Sequence, residues 1–245
     1  IKEGQRVIVL PQRASGLQQY VAATPGQIIP LPDWGPLDEW VMCQPSGTVL
    51  YSVSRMGNLL GRSALVLGQG AIGLSFTMIL ERQGLSQLIV ADPHDYRLEK
   101  AKEFGATDTI NPSKVNIDEA VAELTKGQGP DYVVDASGDP EGLNEALRLV
   151  KHRGTVVGFS LVTPEKVQIE HLKWMLKEAS IIPTTSARSG DPLWGIKAMV
   201  ALKARGWADP GRLVSHRMSW RDVQKAFDLY EGHKGNIIKV VMTVD

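Results

Sequence analysis

The chain has 245 residues, of which 43% are hydrophobic, enough for one large or two modest domains with a real core. Its 27 Lys plus Arg balance 27 Asp plus Glu, which argues against nucleic acid or an anionic membrane as the main partner, and no apolar stretch nears the roughly 18 residues of a membrane-spanning helix. The one cysteine, Cys43, cannot form an internal disulfide and points to a reducing, cytoplasmic setting.

Ile1 is not a methionine, and "IKEGQRVIVLP" reads as a strand in mid-domain, so further sequence upstream is expected. Residues 1–45 hold short β-like runs at 7–10, 20–23 and 28–31, separated by Gly and Pro. They predict a β unit too small to fold well alone. From Ser63 strands alternate with helices, with apolar runs at 64–67, 88–91, 132–134, 155–157 and, more weakly, 180–182. Ile72, Phe76, Ile79 and Leu80 share one helix face; Leu98, Ala101 and Phe104 line another helix, which Gly105 terminates. Leu143, Ala146, Leu147 and Val150 line a third, with Asp139 as N-cap and Pro140 as first helical residue. This alternation predicts an α/β fold, a doubly wound parallel sheet covered on both faces. Past about Ser189 come a helix in "LWGIKAMVALKARG", a β-like "LVSHRMS", a helix over 222–231 with Val223, Ala226, Phe227 and Tyr230 at core spacing, and "NIIKVVMTV". This tail is expected to return to the β unit that opens the chain.

Gly68-Gln69-Gly70-Ala71-Ile72-Gly73 fits G-x-G-x-x-G, between a strand and a helix. In a dinucleotide site the three glycines serve a tight turn, close approach to a pyrophosphate, and close packing of helix on strand. The helix start offers N–H groups and a positive dipole end to phosphate. Asp92 ends the next strand, 19 residues beyond Gly73. A carboxylate there accepts the ribose hydroxyls of NAD and repels the 2′-phosphate of NADP, whereas the nearby Arg97 cation favours NADP; the balance predicts NAD. The bland reading is an ordinary glycine turn and a strand-end aspartate capping a helix.

With these elements in order, the chain resembles the medium-chain dehydrogenase/reductase family, the zinc-type alcohol, polyol and threonine dehydrogenases. The resemblance rests on "KEGQRVIV", "GQGAIGL" with "VAD", "RLEKAKEFGATDTINP", "DYVVDASG", "GTVVGFS" and "VSHRMSWRDVQKAFDLYEGHKGNIIKVVM". It implies a Rossmann NAD-binding domain over roughly 46–189. A partial GroES-like catalytic domain would be built from both chain ends, 1–45 and 190–245. It places Gly68, Gly70, Ile72, Gly73, Asp92 and Arg97 on the adenosine and pyrophosphate half of NAD. Ala136 and Ser137, and Val157, Gly158 and Phe159, follow the strands whose ends approach the ribose and nicotinamide. Lys239 falls where relatives often have a basic residue facing the pyrophosphate; an outward-pointing strand lysine is an equal reading. "CQPSGTVLYSV" resembles the segment linking the two domains, with Thr48 beside the nicotinamide as the catalytic candidate.

Gln44 falls where relatives carry glutamate or cysteine near a catalytic zinc, and an amide oxygen is a poor zinc ligand. Cys43 next door is the other metal candidate if the register shifts by one, with a small buried residue as the favoured reading. The relatives' first cysteine and His-Glu pair come from a segment upstream of Ile1, so any zinc belongs to a fuller protein. The five histidines, His94, His152, His171, His216 and His233, are dispersed. The expected activity is hydride transfer between NAD(H) and a small alcohol, polyol or carbonyl, in a homodimer or higher homo-oligomer. The edge strand for dimer pairing is "EASIIPTT". Two alternatives stand beside it, a zinc-independent enone or quinone reductase and a non-catalytic nucleotide-binding module.

Overall fold

The computed structural model describes residues 1–11, 16–161, 166–186 and 189–244. The chain divides into two compact units, residues 51–186 and residues 1–50 with 187–245, and the division falls within one helix.

In chain order, β1 (Val7–Val9), β2 (Ile28–Pro30), α1 (Leu37–Trp40) and α2 (Cys43–Ser54) come first. β3 (Ser63–Leu67), α3 (Ala71–Glu81), β4 (Gln87–Ala91), α4 (Asp95–Glu103), β5 (Asp108–Ile110), α5 (Ile117–Leu124) and β6 (Tyr132–Asp135) follow. Next are α6 (Gly142–Leu149), β7 (Thr155–Gly158), α7 (His171–Lys177) and β8 (Ser180–Pro183). The tail carries α8 (Trp194–Ala204), β9 (His216–Ser219), α9 (Val223–Glu231) and β10 (Val240–Thr243).

In the unit of residues 51–186, β3 to β8 form a parallel sheet in the order β5-β4-β3-β6-β7-β8. The order reverses between β3 and β6, and open α/β sheets bind ligands beyond the carboxyl ends of the strands at such a point. Leu65, Leu67, Ile89, Ala91, Val133 and Val156 turn to one face, where Val121 of α5 and Ala146 and Leu147 of α6 complete a core. α3 packs on β3 and β4, and its Gly73 to Leu80 are all buried, so the single apolar stripe read from Ile72, Phe76, Ile79 and Leu80 understates its burial.

β5 is a strand that apolar pattern alone does not reveal, because only Ile110 of its three residues is buried. α6 starts at Gly142 instead of Pro140: Asp139 accepts the Glu141 N–H at 2.9 Å and closes a turn ahead of the helix, with no side-chain cap on the helix itself.

The other unit holds both chain ends, and its described strands form two small sheets. β1 pairs antiparallel with β2, and β10 pairs parallel with β9. The tail therefore returns to the opening β unit without joining its ladder; Val241 to Val244 face Val7 to Val9 across an apolar cavity of about 390 Å³. No strand forms at 20–23. In α9 Ala226 is buried and Val223 and Leu229 are half-buried, whereas Phe227 is 58% exposed, so the helix is rotated slightly relative to the expected core face. Gly47 of α2 lets α8 approach closely: a Cβ there would lie 2.6 Å from the Ile196 Cα.

Candidate functional site

The glycine turn follows β3 and opens α3. Gly68 has φ +83°, a conformation glycine adopts without strain, and a Cβ there would also meet the Ala136 carbonyl oxygen at 2.8 Å. Its N–H donates to the Ala91 carbonyl at 2.8 Å, while the Ala136 N–H donates to Leu67 at 3.0 Å. The turn is thereby tied to both neighbouring strand ends. A Cβ on Gly73 would overlap the Gly68 carbonyl oxygen, which is the close approach of helix to strand. A Cβ on Gly70 would meet nothing within 4 Å. The open side of the turn is therefore at Gly70, the N-cap of α3, which has no side-chain cap on its first-turn N–H groups. That is the arrangement a helix start presents to a phosphate. Ile72 sits half-buried in the same turn.

Sequence reading passed over Gln69, the middle of the motif. Its side chain is fully buried; Nε2 donates to the Gly68 carbonyl at 3.0 Å and Oε1 accepts from Thr77 Oγ1 at 2.8 Å. Its backbone N–H donates to Asp92 Oδ2 at 2.8 Å. Asp92 is 2% exposed, with Oδ1 accepting the His94 N–H at 2.9 Å and facing His94 Nδ1 at 3.0 Å. Arg97 Nη1 approaches Oδ2 at 3.4 Å. The motif and its acidic partner form one hydrogen-bonded unit, with a cation and an imidazole against the carboxylate.

Beyond β6 and β7 the strand ends are clamped by Asp135. Its Oδ1 accepts from Ser137 Oγ at 2.7 Å, the Ser137 N–H at 3.1 Å and Ser160 Oγ at 3.0 Å. This braces Ala136 and Ser137 against Gly158 and Phe159. Val157 is fully buried in the sheet, so only its main chain can face the crevice. The Phe159 ring meets Phe76 of α3 edge-on at 5.2 Å. Neither Asp135 nor Ser160 stood out in the sequence, although "VVDASG" places an acid at one strand end and "VVGFS" a serine just past the next, the signal that could have found them.

The remaining candidates lie in the unit of residues 1–50 and 187–245. Thr48 Oγ1 donates to the Pro45 carbonyl at 2.7 Å within α2. Lys239 is half-buried just before β10, and burial pushes its ammonium below the usual lysine range. Gln44 is half-buried and Cys43 fully buried. Burial raises the Cys43 thiol to about 12, with Lys203 pulling it down and Asp209 raising it. Metal binding needs a thiolate, and no three His, Cys, Asp or Glu side chains among the described residues converge as a metal site. The described residues do not by themselves fit a zinc ion. No helix among the described residues is long and apolar enough to cross a membrane.

Strand order and glycine turn together describe a dinucleotide-type Rossmann sheet, and comparison with known proteins narrows this further. The family model described as "Zinc-binding dehydrogenase" matches residues 71–198, just over half of the chain. An L-threonine 3-dehydrogenase from Bacillus velezensis is 30% identical over 200 residues, covering 81% of this chain and 56% of that protein. Two solved structures share the fold. An E. coli CFT073 protein described as a short chain alcohol dehydrogenase, complexed with NADH, has TM-score 0.79 and 28% identity over 90% of this chain and 64% of its own. A Sinorhizobium meliloti 1021 protein bound to NADP has TM-score 0.76 and 26% identity, over 87% and 61%.

The chain belongs to the zinc-binding dehydrogenase family, in the medium-chain dehydrogenase/reductase class. It spans about half the length of the curated relatives it matches.

Proposed function

We propose that residues 51–186 bind a nicotinamide dinucleotide, NAD(H) in preference to NADP(H), and that the protein serves hydride transfer between it and a small alcohol, polyol or carbonyl. The observation that carries this reading is the pairing of an open Gly70 turn with a buried Asp92 at the neighbouring strand end. Gly68 and Gly73 shape the turn, and Gly70 with the first-turn N–H groups of α3 receives the pyrophosphate. Asp92 receives the adenosine ribose hydroxyls, with Arg97 at its side. Ala136 and Ser137, held by Asp135, and the main chain of Val157 and Gly158 with Phe159 line the nicotinamide side. The bound nicotinamide supplies the hydride acceptor or donor.

The chain's own part in that chemistry is orientation and exclusion of water. Thr48 is the hydroxyl proposed beside the reacting carbon, and Lys239 the cation proposed for the pyrophosphate. The Asp92 carboxylate supports NAD over NADP, since a 2′-phosphate there meets a buried negative charge. Relatives named L-threonine 3-dehydrogenase support an alcohol substrate. Zinc assistance would need ligands from outside the described residues. A homodimer paired through β8, an edge strand of the sheet, is the proposed assembly.

Fluorescence titration of the protein with NADH and, in parallel, NADPH at pH 8 tests the reading. Saturable NADH binding with weaker NADPH binding is expected. Binding of neither overturns the dinucleotide site; equal binding overturns the role given to Asp92.

A further inference from the structure

β6 and β7 pair as far as Asp135 and Gly158, and beyond them the chain leaves the ladder. A turn past the end of a strand has no ladder to hold it, so its backbone groups need other partners. After β6 that turn is Ala136-Ser137-Gly138-Asp139, with Ser137, Gly138 and Asp139 exposed and Gly138 at φ +76°. Ser137 fastens it from within: its hydroxyl donates to Asp135 Oδ1 at 2.7 Å and accepts the Asp139 N–H at 3.1 Å.

Ser160 fastens it from the neighbouring strand end. Its hydroxyl donates to the same Oδ1 at 3.0 Å and accepts the Gly138 N–H at 3.0 Å. A hydroxyl can do both, having one donor and two acceptor positions. This one group therefore grips the Ala136–Ser137 pair on both sides, at the residue before it and the residue after it. Asp135 is 4% exposed, and a hydrogen bond to a buried acceptor holds more strongly than one in water. The Phe159 and Ser160 N–H groups donate to the Asp135 carbonyl at 3.3 and 3.2 Å, which brings Ser160 level with the turn. On its other side the turn meets the glycine motif, where a Cβ on Gly68 would lie 2.8 Å from both the Ala136 carbonyl oxygen and the Ser137 Cα. The turn after β6 is wedged between the ends of β3 and β7, the strands on either side of it in the sheet.

We propose that Ser160 is a positioning residue for the nicotinamide half of the cofactor, holding the Ala136–Ser137 turn against Gly68 where the ribose and nicotinamide meet it. The inference rests on the dinucleotide reading above, and it asks for no contact between Ser160 and the cofactor. A ligand held by the main chain of a turn depends on where that turn stands, and a reacting geometry displaced by about 1 Å loses on the order of a hundredfold. Ala136 keeps its own N–H bond to Leu67, so loss of the Ser160 hydroxyl falls on Ser137 and Gly138. The adenosine and pyrophosphate half has separate supports, Asp92 bonded to the Gln69 N–H and the open first turn of α3. The two halves of the site therefore respond differently when that hydroxyl is removed.

Isothermal titration calorimetry with NADH and with ADP, on the protein and on Ser160→Ala, Ser160→Cys and Ser160→Thr, tests the proposal. ADP carries the adenosine and two phosphates and lacks the nicotinamide and its ribose. In Ser160→Ala the Kd for NADH should rise on the order of tenfold while that for ADP stays within about twofold, the size expected for one lost hydrogen bond. Ser160→Cys, which fills similar space with a weak donor and acceptor, should show the same split. Ser160→Thr keeps the hydroxyl and should recover most of the NADH affinity. A general loosening of the fold would weaken both ligands together, so the Kd(NADH)/Kd(ADP) ratio separates positioning from mere support, and thermal unfolding confirms that each variant folds. Equal weakening of both ligands in the Ala and Cys variants, or unchanged NADH affinity, overturns the inference and leaves the dinucleotide site standing. Binding of neither ligand by the unaltered protein overturns that site, and the inference with it.

Discussion

A Cβ on Gly73 would overlap the Gly68 carbonyl oxygen, whereas one on Gly70 would meet nothing within 4 Å. These two motif glycines are separated by one experiment. Gly73→Ala should destabilise by about 3 kcal/mol, the upper end of overpacking costs, seen as a lower Tm. Gly70→Ala should leave the Tm nearly unchanged and weaken NADH binding by roughly tenfold or more, because its methyl intrudes only on the incoming pyrophosphate. Asp92 has both roles. Asp92→Ala should relax the NADH preference and also cost about 1–3 kcal/mol, since it orphans the buried Gln69 N–H. Asp92→Asn, which keeps an acceptor oxygen, should separate the two effects. Cys43 gives a further residue-scale test. With its thiol raised to about 12 by burial, stability drawn from the neutral thiol is full below the unfolded value and is lost as pH climbs from there through the folded one. At pH 8 the native protein should resist alkylation by iodoacetamide and react on addition of denaturant. Fast native labelling would show a thiolate available to a metal after all.

The start of β6 is fastened to β3 by Asp131 and Ser63. Asp131 accepts the Ser63 N–H at 2.8 Å and hydroxyl at 2.9 Å, and Lys151, ahead of β7, pairs with it. Burial raises this carboxyl, but Lys151 and Ser63 outweigh that and hold it below the usual carboxylate range. A depressed folded value means stability that is present above the unfolded pKa of about 3.9 and is lost as pH falls through the folded value. Urea unfolding between pH 5 and 2 should show Asp131→Asn with a shallower acid limb than the unaltered protein. At the same scale, β3, β4, β6 and β7 were legible because parallel strands buried on both faces read as apolar runs. β5 was not: an edge strand with two of its three residues only half-buried carries little apolar signal, and it is held by its ladder to β4. The rotated α9 has a similar cause. Val223, Ala226, Phe227 and Tyr230 share a face by spacing, but the small sheet of β9 and β10 packs on Ala226 and Leu229, the Tyr230 hydroxyl accepts the Val240 N–H at 3.0 Å, and Phe227 is left exposed.

At the scale of the molecule, the proposed dimer depends on the free edge of β8. Ser180 and Thr184 donate inward to β7, so by alternation the N–H of Ile181 points outward, and Pro183, the next outward position, has none. The Pro183 carbonyl accepts from Arg55 at 2.6 Å, which further narrows the edge. Sedimentation equilibrium should show a dimer, and Ile181→Pro, which removes that outward donor, should leave a monomer with unchanged far-UV circular dichroism. A dimer that survives the substitution would place the interface elsewhere. The amino-acid sequence by itself determined the alternating architecture, the glycine turn and Asp92, because apolar periodicity and the residue demands of a tight turn are local properties. Only the tertiary structure decided that Gln69 is an internal brace, that Asp135 and Ser160 clamp the far strand ends, and that His94 and Arg97 share one carboxylate. Those contacts join residues brought together by strand order, and whether a polar side chain is buried against another depends on which strand ends the sheet sets side by side. The surroundings of Cys43 were decided the same way: its burial, and the Lys203 and Asp209 beside it, come from packing between α2 and the chain's far end.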